Sequence, residues 1–249
     1  MNYRLTIQYD GTDFHGWQVQ TGLRTVQGEI GRALALVEGR EVVLHGAGRT
    51  DAGVHAEAQV ASVVLERGLS AEKLRDAING NVGRDVRVTD VREAPEDFHA
   101  RFSARGKTYR YSVFNERTMS PFWLRYAHHE SRPLDLSAMR GVAPLFVGEH
   151  DWTAFSSAQA EVSSRVRTVT ELRVEERADV RGRGRVLEIS VSADGFLRYM
   201  VRSIAGALLA AGRGEVCERE VRSAVEGGER FSAASTAPAR GLTLVEVHY

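Results

Sequence analysis

Apolar and polar side chains alternate near the start of the chain. Over residues 4–9, Leu5, Ile7 and Tyr9 fall on one side and Arg4, Thr6 and Gln8 on the other. A period of two predicts a strand with one buried face. The period then lengthens. Val26, Ile30, Ala33, Leu34 and Val37 share a helical stripe over residues 25–38, with Thr25 placed to cap the first turn. Residues 41–46 and 57–65 read as strands around a glycine-containing loop. Ser70 opens a helix carrying Leu74 and Ile78, and residues 85–92 read as a further strand. The rhythm returns in the second half. A strand is predicted at 106–114 and a helix at 135–147, built on Leu136, Met139 and Phe146. A strand pair follows at 165–175 and 185–192 about the turn R-G-R-G-R. Next come a strongly apolar helix at 196–211 with Leu197, Met200, Val201, Ile204 and Leu208 at core spacing, a short helix at 218–226 and a last strand at 242–249. Strands joined by hairpins with helices between predict an α+β fold with a largely antiparallel sheet. Two similar β/α halves, 1–104 and 105–249, are expected to share that sheet.

Composition narrows the class without naming a function. The chain has 249 residues, 43% hydrophobic and 27% charged, which suits a globular protein with a sizeable core. No apolar run reaches the length of about 18 residues that a membrane span needs. The first residues lack a leader pattern, so a cytoplasmic protein with no membrane association is expected. Cys217 is the single cysteine, which excludes an internal disulfide and a thiolate zinc framework. The histidines show no metal-ligand spacing, so no metal site is expected from them.

Charge is balanced overall and uneven locally. Net charge is zero, yet residues 98–132 carry seven basic side chains against two acidic. Of the 33 basic residues, 31 are arginine. A planar guanidinium binds oxyanions bidentately and stacks on bases, which fits a nucleic-acid surface. A GC-rich genome is the plainer account of part of the bias.

The segment with most chemical content is Ala47–Ala56, A-G-R-T-D-A-G-V-H-A. Asp51 stands two residues after Arg49 among small residues and glycines. Gly48 and Gly53 are expected to let the loop turn sharply and approach a ligand. A carboxylate held beside Arg49 would stay ionised and could act as nucleophile or general base. The same pair could merely brace a turn between strands. His55, inside the loop, is the one histidine that invites a functional reading. Two glycine patterns nearby lead elsewhere and are rejected. G-T-D-F-H-G-W-Q at Gly11–Gln18 has Trp17 and Gln18 where a P-loop needs Lys and Ser/Thr. G-A-G-R-T-D at Gly46–Asp51 lacks the third dinucleotide glycine, and Asp51 would repel a pyrophosphate.

Two further clusters lie in the second half. On a strand, Lys107, Tyr109 and Tyr111 share one face, an arrangement able to stack a base and contact phosphates, or simply to pack a core. Arg198 and Arg202 lie one turn apart on an apolar helix and need an anionic partner, either a carboxylate (Asp51 and Glu149 are candidates) or a phosphate.

Taken together, Y-D-G-T-D-F-H-G-W-Q at 9–18, the Asp51 string, D-F-H-A-R-F-S-A at 97–104, K-T-Y-R-Y at 107–111, M-V-R at 200–202 and A-P-A-R-G-L at 237–242 resemble the bacterial tRNA pseudouridine synthase A family. The matches run in order along almost the whole chain. The resemblance implies the pseudouridine synthase fold, in which two β/α halves form an extended antiparallel sheet with a central active-site cleft. It implies a homodimer that isomerises uridines 38, 39 and 40 of the tRNA anticodon arm to pseudouridine by base flipping, without cofactor or metal. Asp51 matches the catalytic aspartate and Arg49 the arginine beside it. Tyr109 matches the tyrosine that stacks on the uracil, Arg202 the arginine paired with the aspartate, and Leu242 an apolar wall of the uracil pocket. Arg198 and Lys107 join the expected substrate-binding set. The chain departs from the family in F-L-R-Y-M-V-R, where Arg198 and Tyr199 stand in a run that commonly carries a histidine. Ribose C1′ and uracil C6 both remain open as the point of attack. An RNA-binding module without activity, a nucleoside hydrolase and a sister synthase with another RNA target are the competing readings.

Overall fold

The computed structural model describes residues 1–158, 162–179, 184–227, 231 and 235–249. Residue contacts divide the chain into two compact units, Met1–Arg105 with Thr243–Tyr249, and Gly106–Leu242.

The first unit is built on β1 (Asn2–Tyr9), β2 (Leu44–Gly46), β3 (His55–Val64), β4 (Val86–Ala94) and β10 (Leu242–His248). β1 lies antiparallel between β3 and β4, with Leu5 opposite Ala61 on one side and Val91 on the other. β2 adds antiparallel to β3, with Leu44 opposite Val63. The predicted alternation holds: Leu5 and Ile7 are fully buried and Tyr9 nearly so. Two helices serve this sheet, α1 (Val26–Glu38) and α2 (Ala71–Gly80). The Thr25 side chain accepts from Gly28 N and the Ser70 side chain from Lys73 N, so both predicted caps form. Such a cap is worth about 1 kcal/mol. The last strand was expected in the second half. It belongs with the first, because Thr243 and Leu244 pair parallel with His55 and Ala56 of β3. The predicted strand at 41–46 shortens to Leu44–Gly46, the only part with a partner on β3.

The second unit carries β5 (Gly106–Phe114), β6 (His128–His129), β7 (Gly148–Asp151), β8 (Val166–Ala178) and β9 (Arg185–Ala193). β9 lies antiparallel between β5 and β8, and β7 closes the far side of β8. The turn predicted at R-G-R-G-R falls mostly outside the described residues. Among the described residues, three α-helices complete the unit: α3 (Leu136–Val142), α4 (Met200–Gly212) and α5 (Glu218–Gly227). The helix predicted over 135–147 breaks after Val142 into a 3-10 turn at Ala143–Phe146, where Pro144 cannot donate to the α ladder. α4 is almost wholly buried and starts four residues later than predicted. Both units are α+β with mainly antiparallel sheets, as the sequence implied. Among the described residues, no helix is long and apolar enough to cross a membrane.

Candidate active site

Asp51 sits in the loop between β2 and β3, and that loop is held chiefly by main-chain bonds. Ala47 N donates to Val60 O at 2.8 Å, which ties the start of the loop to β3. Trp17 N donates to Thr50 O at 3.0 Å and Gly53 N to Phe14 O at 3.3 Å, so the Phe14–Trp17 segment supports both flanks of Asp51. Val54 N donates to Asp51 O at 3.2 Å and closes the turn. The contact with the 11–16 segment is too close for side chains. A Cβ on Gly11 would overlap the Val54 carbonyl, and one on Gly16 would lie 2.6 Å from Thr50 O. Gly16 also has φ +87°, a conformation that costs any other residue steric strain.

Three buried side chains reinforce this seat. The Tyr9 hydroxyl bonds the Thr50 hydroxyl at 2.8 Å. Gln59, fully buried on β3, donates its amide to Gly48 O at 2.9 Å. His55 Nδ1 accepts the Gly11 N–H at 3.0 Å. Burial pushes the Tyr9 hydroxyl from 10.0 up to about 12, against the opposing bonds to Thr50 and Gln59. Tyr9 therefore stays neutral and structural over the ordinary pH range. Tyr9, Thr50 and Gln59 were not singled out in the sequence. A lone Gln on a strand reads as solvent-facing, and only its position under a glycine-rich loop hints otherwise.

Within the loop the side chains differ from expectation in two respects. Thr50 is buried, Asp51 half-buried and Arg49 exposed. The Arg49 side chain makes no ion pair or hydrogen bond among the described residues. Arg49 faces outward and does not clamp Asp51, because a tight turn sends near neighbours in different directions. Gly53 has the expected left-handed φ of 78°, but Gly48 does not, and its carbonyl is instead fixed by Gln59. His55 is a brace for the Gly11 segment.

The second unit contributes an aromatic and cationic group. Lys107, Tyr109 and Tyr111 fall on one face of β5, opposite Ala193, Val191 and Ile189 of β9. Lys107 is half-buried. Tyr109 is 6% exposed and meets the Phe196 ring edge-on, with centroids 5.1 Å apart. Tyr111 is fully buried and donates its hydroxyl to Pro238 O at 2.9 Å. The Tyr111 ring also lies where a Cβ on Gly241 would stand, so this tyrosine is committed to the A-P-A-R-G-L segment. Burial raises its hydroxyl, partly offset by the Arg202 and Arg240 charges. Arg202 grips the same segment: its Nε donates to Ala237 O at 2.7 Å while Ala237 N donates to Arg202 O at 3.0 Å. Leu242 ends the segment and is 6% exposed. Arg198 is exposed and donates to the Tyr199 hydroxyl at 3.1 Å. Glu149, a candidate partner for the two arginines, is exposed on β7 and pairs with neither among the described residues.

Chemically, the first unit presents a carboxylate on a rigid turn, suited to nucleophilic or base chemistry. The second presents Lys107 and two tyrosines on one face of β5 and, at the start of α4, the exposed Arg198, residue types able to stack a base and contact phosphates. Among the described residues, no group of three or more His, Cys, Asp or Glu could hold a metal ion.

Comparison with known proteins bears on both units. The family model for tRNA pseudouridine synthase matches residues 5–103 and 142–249. The tRNA pseudouridine synthase A of Acetivibrio thermocellus is 40% identical over 248 residues, covering 100% of this chain and 99% of that protein. Its counterpart in Methylacidiphilum infernorum is 41% identical over 250 residues, with 100% and 96% covered. That of Solibacter usitatus is 42% identical over 252 residues, with 99% and 98% covered. A match of this length, spanning the Asp51 loop in one unit and the Arg202 helix in the other, leaves one conclusion: the chain belongs to the tRNA pseudouridine synthase family.

Proposed function

We propose that this enzyme isomerises uridines 38, 39 and 40 in the anticodon arm of tRNA, with Asp51 as the catalytic carboxylate. The observation that carries this reading is the Asp51 turn, which main-chain bonds and buried side chains hold in one conformation. A preorganised carboxylate loses little entropy on reaching its target atom. The target base must leave its stack, and Tyr109 provides a ring to receive it, with Leu242 as an apolar wall. Arg202 supplies a positive charge for the reaction. Arg49, on the exposed side of the loop, helps extrude the base, and Lys107 and Arg198 contact phosphates.

The reaction balances without a cofactor. The carboxylate adds to ribose C1′ or to uracil C6. Either route breaks the N1–C1′ bond, turns the ring and forms C5–C1′. The C5 hydrogen leaves to solvent, N1 takes up a proton, and the carboxylate is released unchanged. We further propose a homodimer in the cytoplasm, where its substrate is made.

Tritium release from tRNA labelled at uracil C5 tests the reading, with the product mapped by position. Release confined to positions 38 to 40 with no free uracil is the expected result. Free uracil would mark a hydrolase, release at other positions a sister synthase, and no release an RNA-binding module.

A further inference from the structure

Among the described residues, Tyr199 is the one residue other than glycine with a left-handed backbone, φ 67° and ψ −1°. It occupies the third position of the turn Leu197–Met200, which Met200 N closes by donating to Leu197 O at 3.1 Å. Those angles belong to the third residue of a type II turn, a place that favours glycine or asparagine. Tyr199 is also the residue that opens α4, yet its side chain caps nothing. Helix starts favour Ser, Thr, Asp or Asn. The position thus breaks two local rules at once. Such violations mark sites where something other than local stability is served.

What the ring touches identifies that service. The Arg202 guanidinium carbon lies over the Tyr199 ring, 4.9 Å from its centroid, and that of Arg198 lies 4.8 Å from it. Guanidinium groups bind aromatic faces by cation–π attraction and stacking. On its other contacts Arg202 is fixed by the Ala237 carbonyl, and α4 comes so near this segment that a Cβ on Gly206 would overlap Ser235 O. The arginine is therefore tied at Nε by a carbonyl and lies over a tyrosine ring.

We propose that Tyr199 is a positioning residue for the reaction. Its ring, set on a left-handed turn at the start of α4, holds the Arg202 guanidinium in one orientation. The backbone at this position is suited to glycine, and the tyrosine is present for its ring. This inference rests on the proposed role of Arg202 in the reaction.

The test compares Tyr199→Phe, Tyr199→Gly and Tyr199→Asn in the full chain. Tyr199→Phe keeps the ring and should hold kcat within about twofold of the native enzyme. Tyr199→Gly and Tyr199→Asn keep the turn and remove the ring. Both should lower kcat about tenfold, the scale of a modest loss of alignment, with KM for tRNA within about twofold and Tm not reduced. Activity and stability would then part company, which a purely structural tyrosine cannot produce. The ¹⁵N–¹H resonance of Arg202 Nε should move in the Gly and Asn variants and stay put in the Phe variant, and it reads arginine position without turnover. An unmoved resonance with native kcat in the Gly variant would overturn the proposal. So would a loss of kcat that tracks a fall in Tm. Arg202→Gln at native kcat would instead overturn the Arg202 assignment, while the resonance shift would still report the positioning contact.

Discussion

The Asp51 loop and the turn that opens α4 both fix charged side chains, and they do it by opposite means. The loop is clamped through its backbone. Glycines at 11 and 16 let two segments touch with no side chain between them, and carbonyls of Thr50 and Phe14 take N–H groups across the seam. The α4 turn is fixed through side chains, with two guanidiniums resting on a tyrosine ring whose backbone is strained. Backbone clamping gives rigidity but forbids a single added methyl. Side-chain clamping tolerates backbone change but depends on one ring.

That contrast can be broken most forcefully at the glycines. Gly16→Ala combines a positive φ with a Cβ 2.6 Å from Thr50 O, and should cost about 3 kcal/mol, the sum of strain and overpacking. Thermal melting should show it as a fall of roughly 9 °C in Tm. Gly22→Ala is the control, since Gly22 has φ +75° with nothing within 4 Å of its Cβ position. It should cost only about 1 kcal/mol. Equal effects at the two positions would mean that packing against the loop is not what matters.

Alkaline pH probes the same seat. Tyr9 is neutral in the folded protein up to about 12, whereas the unfolded chain ionises near 10.0. Its contribution is fully present below pH 10 and is lost as pH rises toward 12, because only the unfolded state then gives up the proton. The loss amounts to about 2–3 kcal/mol for a fully buried group. Tyr249, also raised to about 12 by burial, adds slope over the same window. Urea unfolding between pH 9 and 12 should therefore be steeper for the native chain than for Tyr9→Phe.

Smaller effects sharpen the comparison further. Gln59→Leu leaves the Gly48 carbonyl without its amide and should cost about 1–2 kcal/mol, with kcat reduced more than KM. Steady-state kinetics beside a melting curve would separate the two. Gly31→Ala lies within α1 and meets nothing within 4 Å, so it should raise stability by about 0.5–1 kcal/mol. Glycine is a requirement in the Asp51 seat and a liability in α1.

The same contrast explains what the sequence could reveal. Elements built on local periodicity were legible: β5 runs over Gly106–Phe114 as predicted, and Thr25 and Ser70 cap their helices. The Asp51 loop was legible in part: Gly53 takes the expected left-handed backbone, whereas Gly48 does not, and the close approach falls at Gly11 and Gly16 instead. The α4 turn was not, since nothing about a tyrosine announces a left-handed backbone, and the helix was accordingly predicted to begin before it. Pro144 ends the α3 ladder early, a rule the helical spacing of Phe146 overrode in the prediction. The pairing of β10 with β3 joins residues far apart in sequence, which no local pattern encodes. Arg49 was read as the partner of Asp51 from proximity in sequence, but the turn carries its side chain to the surface.

The central claim is that the braced turn exists to present the Asp51 carboxylate to a uridine in tRNA. Asp51→Asn changes one oxygen for one nitrogen and leaves the main-chain clamps in place. Tritium release from C5-labelled tRNA should vanish in this variant while Tm and tRNA affinity remain native. Native turnover by a folded Asp51→Asn protein would contradict the account.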